Sequence, residues 1–174
     1  RIIEKERPEA LLPTVRSRCQ RLPIHTPSHA DGSAWLARQG VPDADVLLAA
    51  AGGQPQAALA LHEEGVSGAA WSALPEAVRR GHAAALAAWP VPRVVDALHR
   101  LCHDLLSAQA GGTPRFYSAA ALTPAARPSL PPLADLVAWR QELLRAARHD
   151  EHPWHAPLRV EALVAQAAAL WQTA

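Results

Sequence analysis

Proline and glycine divide this sequence into segments that each have the length and composition of one helix. Its 174 residues include 16 prolines and nine glycines. Proline repeatedly stands where a helix can begin, and glycine where one can end. The segments between them are rich in alanine and leucine, whereas the chain has one phenylalanine and one tyrosine. Because alanine and leucine favour helices while β-branched and aromatic residues favour strands, the sequence predicts an all-α protein.

Four short helices are expected in the first third of the chain. Pro8 opens the first, which runs to residues 16–18 and has Pro13 in its middle. Ser28 is a good N-cap for the second, Asp43 can cap the third, and Pro55 starts the fourth.

Longer helices follow from residue 67 onward. The clearest lies at 92–109, where leucine and valine recur at the helical period. Its opposite face is expected to carry the polar residues Arg93, Asp96, His99, Arg100, His103 and Asp104. A further helix at 132–148 is expected to turn inward Leu133, Leu136, Val137, Leu143 and Leu144. The last helix begins at Pro157.

Charge and cysteine content exclude several classes of protein. The formal net charge of +1 is too small for a module that holds a nucleic-acid backbone alone, so any DNA contact is expected through partners. Cys19 and Cys102 lie far apart in no metal-binding or redox spacing. The sequence has no apolar run of membrane-spanning length, and its start, RIIEKER, lacks the features of a signal peptide. These features predict a cytoplasmic protein in a reducing compartment.

One group of residues suggests metal chemistry. His99 and His103 lie one helical turn apart, with Asp104 beside them, and a second histidine–aspartate pair occurs at His149 and Asp150. Such pairs in an all-helical protein are similar to those of metal phosphohydrolases of the HD type. The alternative is a solvated polar face, on which Asp96 and Arg100 form an ordinary ion pair one turn apart. No phosphate-cradling glycine loop or nucleophile elbow is present to complete an enzyme site.

Four stretches, in order, resemble the clamp-loader subunits of the AAA+ class. The stretch LLPTVRSRCQRL, with Ser17, Arg18 and Cys19, resembles the Ser-Arg-Cys motif that closes the nucleotide-binding core of these subunits. LLAAAGGQPQAALAL is similar to the last helix of their small lid domain. AGGTPRFYS is similar to a loop of their collar domain, and HPWHAPLRVEALVAQAAALW to their final helix.

The resemblance implies a domain organisation and a function. Residues 1–24 would end the AAA+ core, residues 25–66 would form a lid of three helices, and residues 67–174 would form a helical collar domain that assembles subunits. The chain is identified as a carboxyl-terminal portion of a non-hydrolysing subunit of the bacterial DNA polymerase III clamp loader, with no complete active site and no cofactor of its own. Its partners would be the ATP-hydrolysing gamma/tau subunits and the delta subunit. The sliding clamp and primed DNA would be reached through the complex.

The same resemblance implies roles for individual residues. Arg18 would be an arginine finger that reaches into the ATP site of a neighbouring subunit, and Ser17 and Cys19 would shape the turn that aims it. Arg16 would make a helix-end or interface contact. Gln56 stands where hydrolysing relatives have a nucleotide-sensing arginine, which implies that this chain does not sense ATP itself.

The sequence departs from the family pattern at its start. An apolar strand would precede the Ser-Arg-Cys helix, whereas RIIEKER is short and charged. Residues 1–24 are therefore expected to be poorly ordered without an upstream core, and exposed apolar area is expected where neighbours would bind. A helical adaptor unrelated to replication stays open as a third alternative.

Overall fold

The computed structural model describes residues 12–20, 25, 27–123, 129–148 and 156–172. Within these ranges the chain is all-helical and contains no strand, which confirms the predicted fold class. The helices are α1 (Pro13–Arg16), α2 (His29–Arg38), α3 (Ala44–Ala50), α4 (Pro55–Glu63), α5 (Gly68–Arg79), a 3-10 helix (Ala83–Leu86), α6 (Val91–Gln109), α7 (Ala119–Leu122), α8 (Leu133–Arg148) and α9 (Ala156–Ala169). No helix of the described ranges has both the length and the apolar character needed to cross a bilayer.

Most helices begin where the proline and N-cap residues of the sequence predict. The Ser28 hydroxyl accepts a hydrogen bond from the backbone N–H of Asp31 at 3.2 Å, which caps α2. Pro55 is the first residue of α4. Pro13 opens α1 rather than interrupting it, because a proline at the first helical position has no N–H bond to lose. The predicted start at Pro8 lies outside the described residues.

The prediction that the Asp43 side chain caps α3 is wrong. Asp43 does precede α3, but its side chain makes no capping hydrogen bond and its φ is 52°, in the left-handed region. Its Cβ instead lies against the first turn of α5, where Gly68 leaves room for it. Gly68 therefore permits the close approach of the two helix starts.

One continuous core runs through the described helices from α2 to α9, and α6 contributes more buried apolar residues to it than any other helix. Buried apolar residues from α2 to α9 belong to a single cluster, to which α6 contributes Val94, Val95, Ala97, Leu98, Leu101, Cys102 and Leu105. Val160, Leu163, Val164 and Ala167 of α9 are also buried, as is Leu170 just after the helix. The predicted division at residues 66 and 67 falls between α4 and α5, and it stays a prediction.

An aromatic stack joins α5 to the segment that follows α6. The Trp71 ring stacks on Tyr117 at 4.9 Å between centroids and on Trp89 at 6.2 Å. Its indole N–H donates to the carbonyl of Phe116 at 3.0 Å. Of the six tryptophans in the sequence, Trp71, Trp89 and Trp139 are buried and act as large anchors in a core of smaller residues.

The inward face predicted for α8 is partly wrong. Leu136 and Leu143 are fully buried, as expected. Leu133, Val137 and Leu144 are exposed by 57%, 44% and 44% respectively. These three residues lie about 60° to 100° around the helix from Leu136, outside the arc that contacts α6. Helical periodicity alone overestimated the width of the buried face.

The polar face predicted for α6 is wrong at one residue. The Asp104 side chain is completely buried rather than solvated. Its two carboxylate oxygens accept hydrogen bonds from the backbone N–H groups of Arg115, Phe116 and Tyr117, at 2.9, 2.7 and 2.8 Å. Asp104 therefore holds the loop after α6 against the helix, a role that the spacing of polar residues did not reveal.

Candidate functional site

The Ser-Arg-Cys stretch forms the turn directly after α1. The Ser17 N–H donates to the carbonyl of Pro13 at 3.0 Å, and the Arg18 N–H donates to that of Val15 at 3.1 Å. The Ser17 hydroxyl donates to the carbonyl of Thr14 at 3.2 Å. These bonds satisfy the end of a helix of one turn and fix the backbone from which Arg18 projects.

The side chains of this turn face solvent. Ser17, Arg18 and Cys19 are all exposed, and Cys19 is a free thiol. Across the ranges that the structure describes, the Arg18 guanidinium makes no ion pair or hydrogen bond. The Arg16 side chain lies outside the described part of the structure, so its expected helix-end or interface contact stays a prediction. An unpaired guanidinium on a short helical turn is free to bind an anion supplied from outside the chain.

Gln56 occupies the first turn of α4, the position predicted for it. It is exposed, and it follows the tight turn of Gly52 and Gly53, whose φ values are 65° and 85°. Gln54, which precedes α4, makes no side-chain cap. Because the first turn of α4 presents a neutral amide, it has no formal charge with which to bind a nucleotide phosphate.

Those proposed metal ligands that the structure describes do not form a metal-binding group. Among the described residues, no group of three or more histidine, cysteine, aspartate or glutamate side chains is placed to hold a metal ion. Asp104 is buried among backbone N–H groups, and its remaining contact is with His103, from Nδ1 to Oδ1 at 3.0 Å. The second pair, His149 and Asp150, lies outside the described residues. The expected ion pair between Asp96 and Arg100 is present at 2.9 Å.

His99 and His103 instead line an open groove between α6 and α8. The groove has a volume of about 330 Å³, and its other lining residues are Leu106, Ser107 and Arg140. Burial lowers the pKa of His99 below its ordinary value of 6.5, and the charge of Arg140 acts in the same direction. A hydrogen bond with the backbone of Leu143 and the charge of Asp96 oppose this shift. His99 is therefore biased toward its neutral form.

Sequence reasoning missed Arg140 as a groove residue. Arg140 is exposed and stands one turn from Leu136, which packs on α6. The signal that could have found it is its phase on α8, because a residue four positions after a buried one lies near the edge of the buried face.

Comparisons with known proteins do not assign the chain. No model of a protein family matches the sequence, and no curated protein matches it.

Proposed function

We propose that this chain is part of the delta-prime subunit of the bacterial DNA polymerase III clamp loader. In this role it assembles with the ATP-hydrolysing gamma/tau subunits and the delta subunit. It donates Arg18 to the ATP site of a neighbour, and the complex loads the sliding clamp onto primed DNA. The proposal gives the chain no ATP hydrolysis of its own.

The observation that carries the proposal is the state of Arg18. It stands in a Ser-Arg-Cys turn, it is exposed, and it has no partner in the described part of the chain. A guanidinium suits the task because its planar fork stays charged and can bond two phosphate oxygens at once. In related nucleotide hydrolases, such a finger raises the rate by ~10³ to 10⁵.

Two further features support the proposal. The three helices α2, α3 and α4 follow the turn in the order expected of a lid, and Gln56 supplies no charge for nucleotide sensing. The helices α5 to α9 continue as an all-α unit, as expected of a collar. The rival metal phosphohydrolase gains no support, because its ligands do not converge in the described residues.

The test is ATP hydrolysis by a reconstituted clamp loader that contains the protein with this sequence. Arg18→Ala is expected to slow hydrolysis at the neighbour's site by about 10³-fold or more while the complex stays assembled. Arg18→Lys restores little, because an ammonium cannot form the paired contacts. Arg38→Ala, an exposed arginine at the end of α2, serves as the matched control. Hydrolysis that is unchanged by Arg18→Ala, in a complex of normal size, contradicts the finger.

A further inference from the structure

A stripe of exposed apolar residues runs along α8 beside the groove. Leu133, Val137, Arg140 and Leu144 are separated by four, three and four positions, so they share one face of the helix. The three apolar members are exposed by 57%, 44% and 44%. At a rise of 1.5 Å per residue the stripe extends for about 16 Å, or three helical turns.

The α6 side of the groove continues this surface. His99, His103 and Leu106 lie on the face of α6 that borders Arg140. The two helices pack together through deeper residues, and the Cys102 thiol contacts the carbonyl of Leu136 at 3.6 Å. The groove itself is lined by His99, His103, Leu106, Ser107 and Arg140, and the apolar stripe lies on α8 beside it. We call this surface the α6–α8 groove.

Arg140 supplies the positive charge of the α6–α8 groove. In the described part of the molecule, Arg140 has no carboxylate partner. The nearest acids on α6 are already committed: Asp96 bonds Arg93 and Arg100, and Asp104 is saturated by backbone N–H groups. A cation flanked by apolar side chains is complementary to a partner's carboxylate that is itself flanked by apolar residues.

We propose that the α6–α8 groove binds an amphipathic helix of a partner protein, with a carboxylate of that helix facing Arg140. A third helix laid along two packed helices buries apolar residues at every third or fourth position, which is the spacing that the stripe on α8 offers. A small anion would use Arg140 and leave the rest of the stripe uncovered. The inference uses no part of the Arg18 site and does not rest on the proposed function.

Charge also disfavours a second copy of this chain as the occupant. Arg140 lies near the middle of the stripe between residues 133 and 144. A two-fold interface through this stripe would bring Arg140 close to the same residue of the other copy, because symmetric contacts pair a patch with itself. Like charges in such a contact oppose association.

The test is selection from a displayed library of randomised helical peptides on the whole chain. We expect the enriched peptides to carry apolar residues at three- and four-residue spacing and an Asp or Glu in phase with them. Their binding is expected to weaken by about tenfold or more in Val137→Lys and in Arg140→Glu. Peptides in which the acid is replaced by lysine should recover binding to Arg140→Glu. Arg38→Glu on α2 is the charge-matched control and should leave binding unchanged.

Three results would overturn this inference. The first is that no helical peptide is enriched, or that inorganic phosphate alone binds at Arg140. The second is that enriched peptides lack an acid or ignore Arg140→Glu. The third is self-association of the chain in sedimentation that Val137→Lys abolishes, since a second copy would then be the occupant. Circular dichroism of each variant shows that the helices are intact, as expected for substitutions at exposed positions.

Discussion

At the scale of single residues, Asp104 holds the loop after α6 against that helix. Its buried carboxylate accepts three backbone N–H groups from the loop after α6 and also contacts His103. A buried carboxylate is stable when its lone pairs are filled, and here backbone amides fill them. The loop in turn supplies Tyr117 and the carbonyl of Phe116 to the Trp71 stack.

Removal of the Asp104 carboxylate should therefore be costly. Asp104→Ala leaves three backbone N–H groups of the loop without their acceptor, of which that of Tyr117 is buried. Because an unsatisfied buried N–H costs ~1–3 kcal/mol, we expect a loss of about 3–5 kcal/mol in the free energy of unfolding. Asp104→Asn keeps one carbonyl oxygen and should lose less. Urea unfolding measures both, with the exposed Glu161→Ala as the control. A loss for Asp104→Ala below about 1 kcal/mol would show that the loop does not depend on this residue.

At the scale of helices, the turn between α3 and α4 is held by the same loop. The Arg115 guanidinium donates to the carbonyl of Gly52 at 2.9 Å. The Arg100 guanidinium donates to the carbonyl of Ala50 and lies over the rings of Trp71 and Phe116. Two arginines thus satisfy carbonyls at the end of α3, where cations also meet the negative end of the helix dipole.

The glycine pair in this turn gives a matched comparison. Both glycines have positive φ, so replacement by alanine costs ~1–2 kcal/mol at either site. A Cβ on Gly52 would also lie 3.1 Å from Arg115 Nη2 and 3.2 Å from Phe116 Cε1, whereas nothing lies within 4 Å of one on Gly53. We expect Gly52→Ala to lower the free energy of unfolding by roughly 1 kcal/mol more than Gly53→Ala does. Equal losses in thermal or urea unfolding would mean that Arg115 and Phe116 move aside freely.

Local chemistry explains which elements were predictable from the sequence. Ser28 and Pro55 mark helix starts because a cap and a fixed φ act within a few residues. The core leucines of α6 were predictable because they repeat at the helical period. The burial of Asp104 and the exposure of Leu144 were not predictable, because each depends on which segment packs against the helix. The sequence of the helix alone does not specify that segment.

One of the two candidate sites was likewise predictable from the sequence, and the other was not. The position and neighbours of Arg18 in the turn after α1 follow from the sequence, since they need only a short helix and its end. The α6–α8 groove required the structure, because His99 and Arg140 are 41 positions apart and meet only when the two helices pack.

At the scale of the whole molecule, a single buried core and the loop after α6 connect the segments that the resemblance assigns to separate lid and collar domains. The buried cluster extends from Leu36 on α2 to Leu170 after α9. Arg115 joins that loop to the turn at Gly52. This arrangement favours helices α2 to α9 that move as a unit.

Co-assembly with purified gamma/tau and delta subunits tests the central claim most directly. In sedimentation velocity, the protein with this sequence is expected to join these subunits in one stoichiometric complex, and Arg18→Ala should join equally well because Arg18 acts on ATP rather than on assembly. If the protein sediments alone at every concentration of properly folded partners, it is not a clamp-loader subunit.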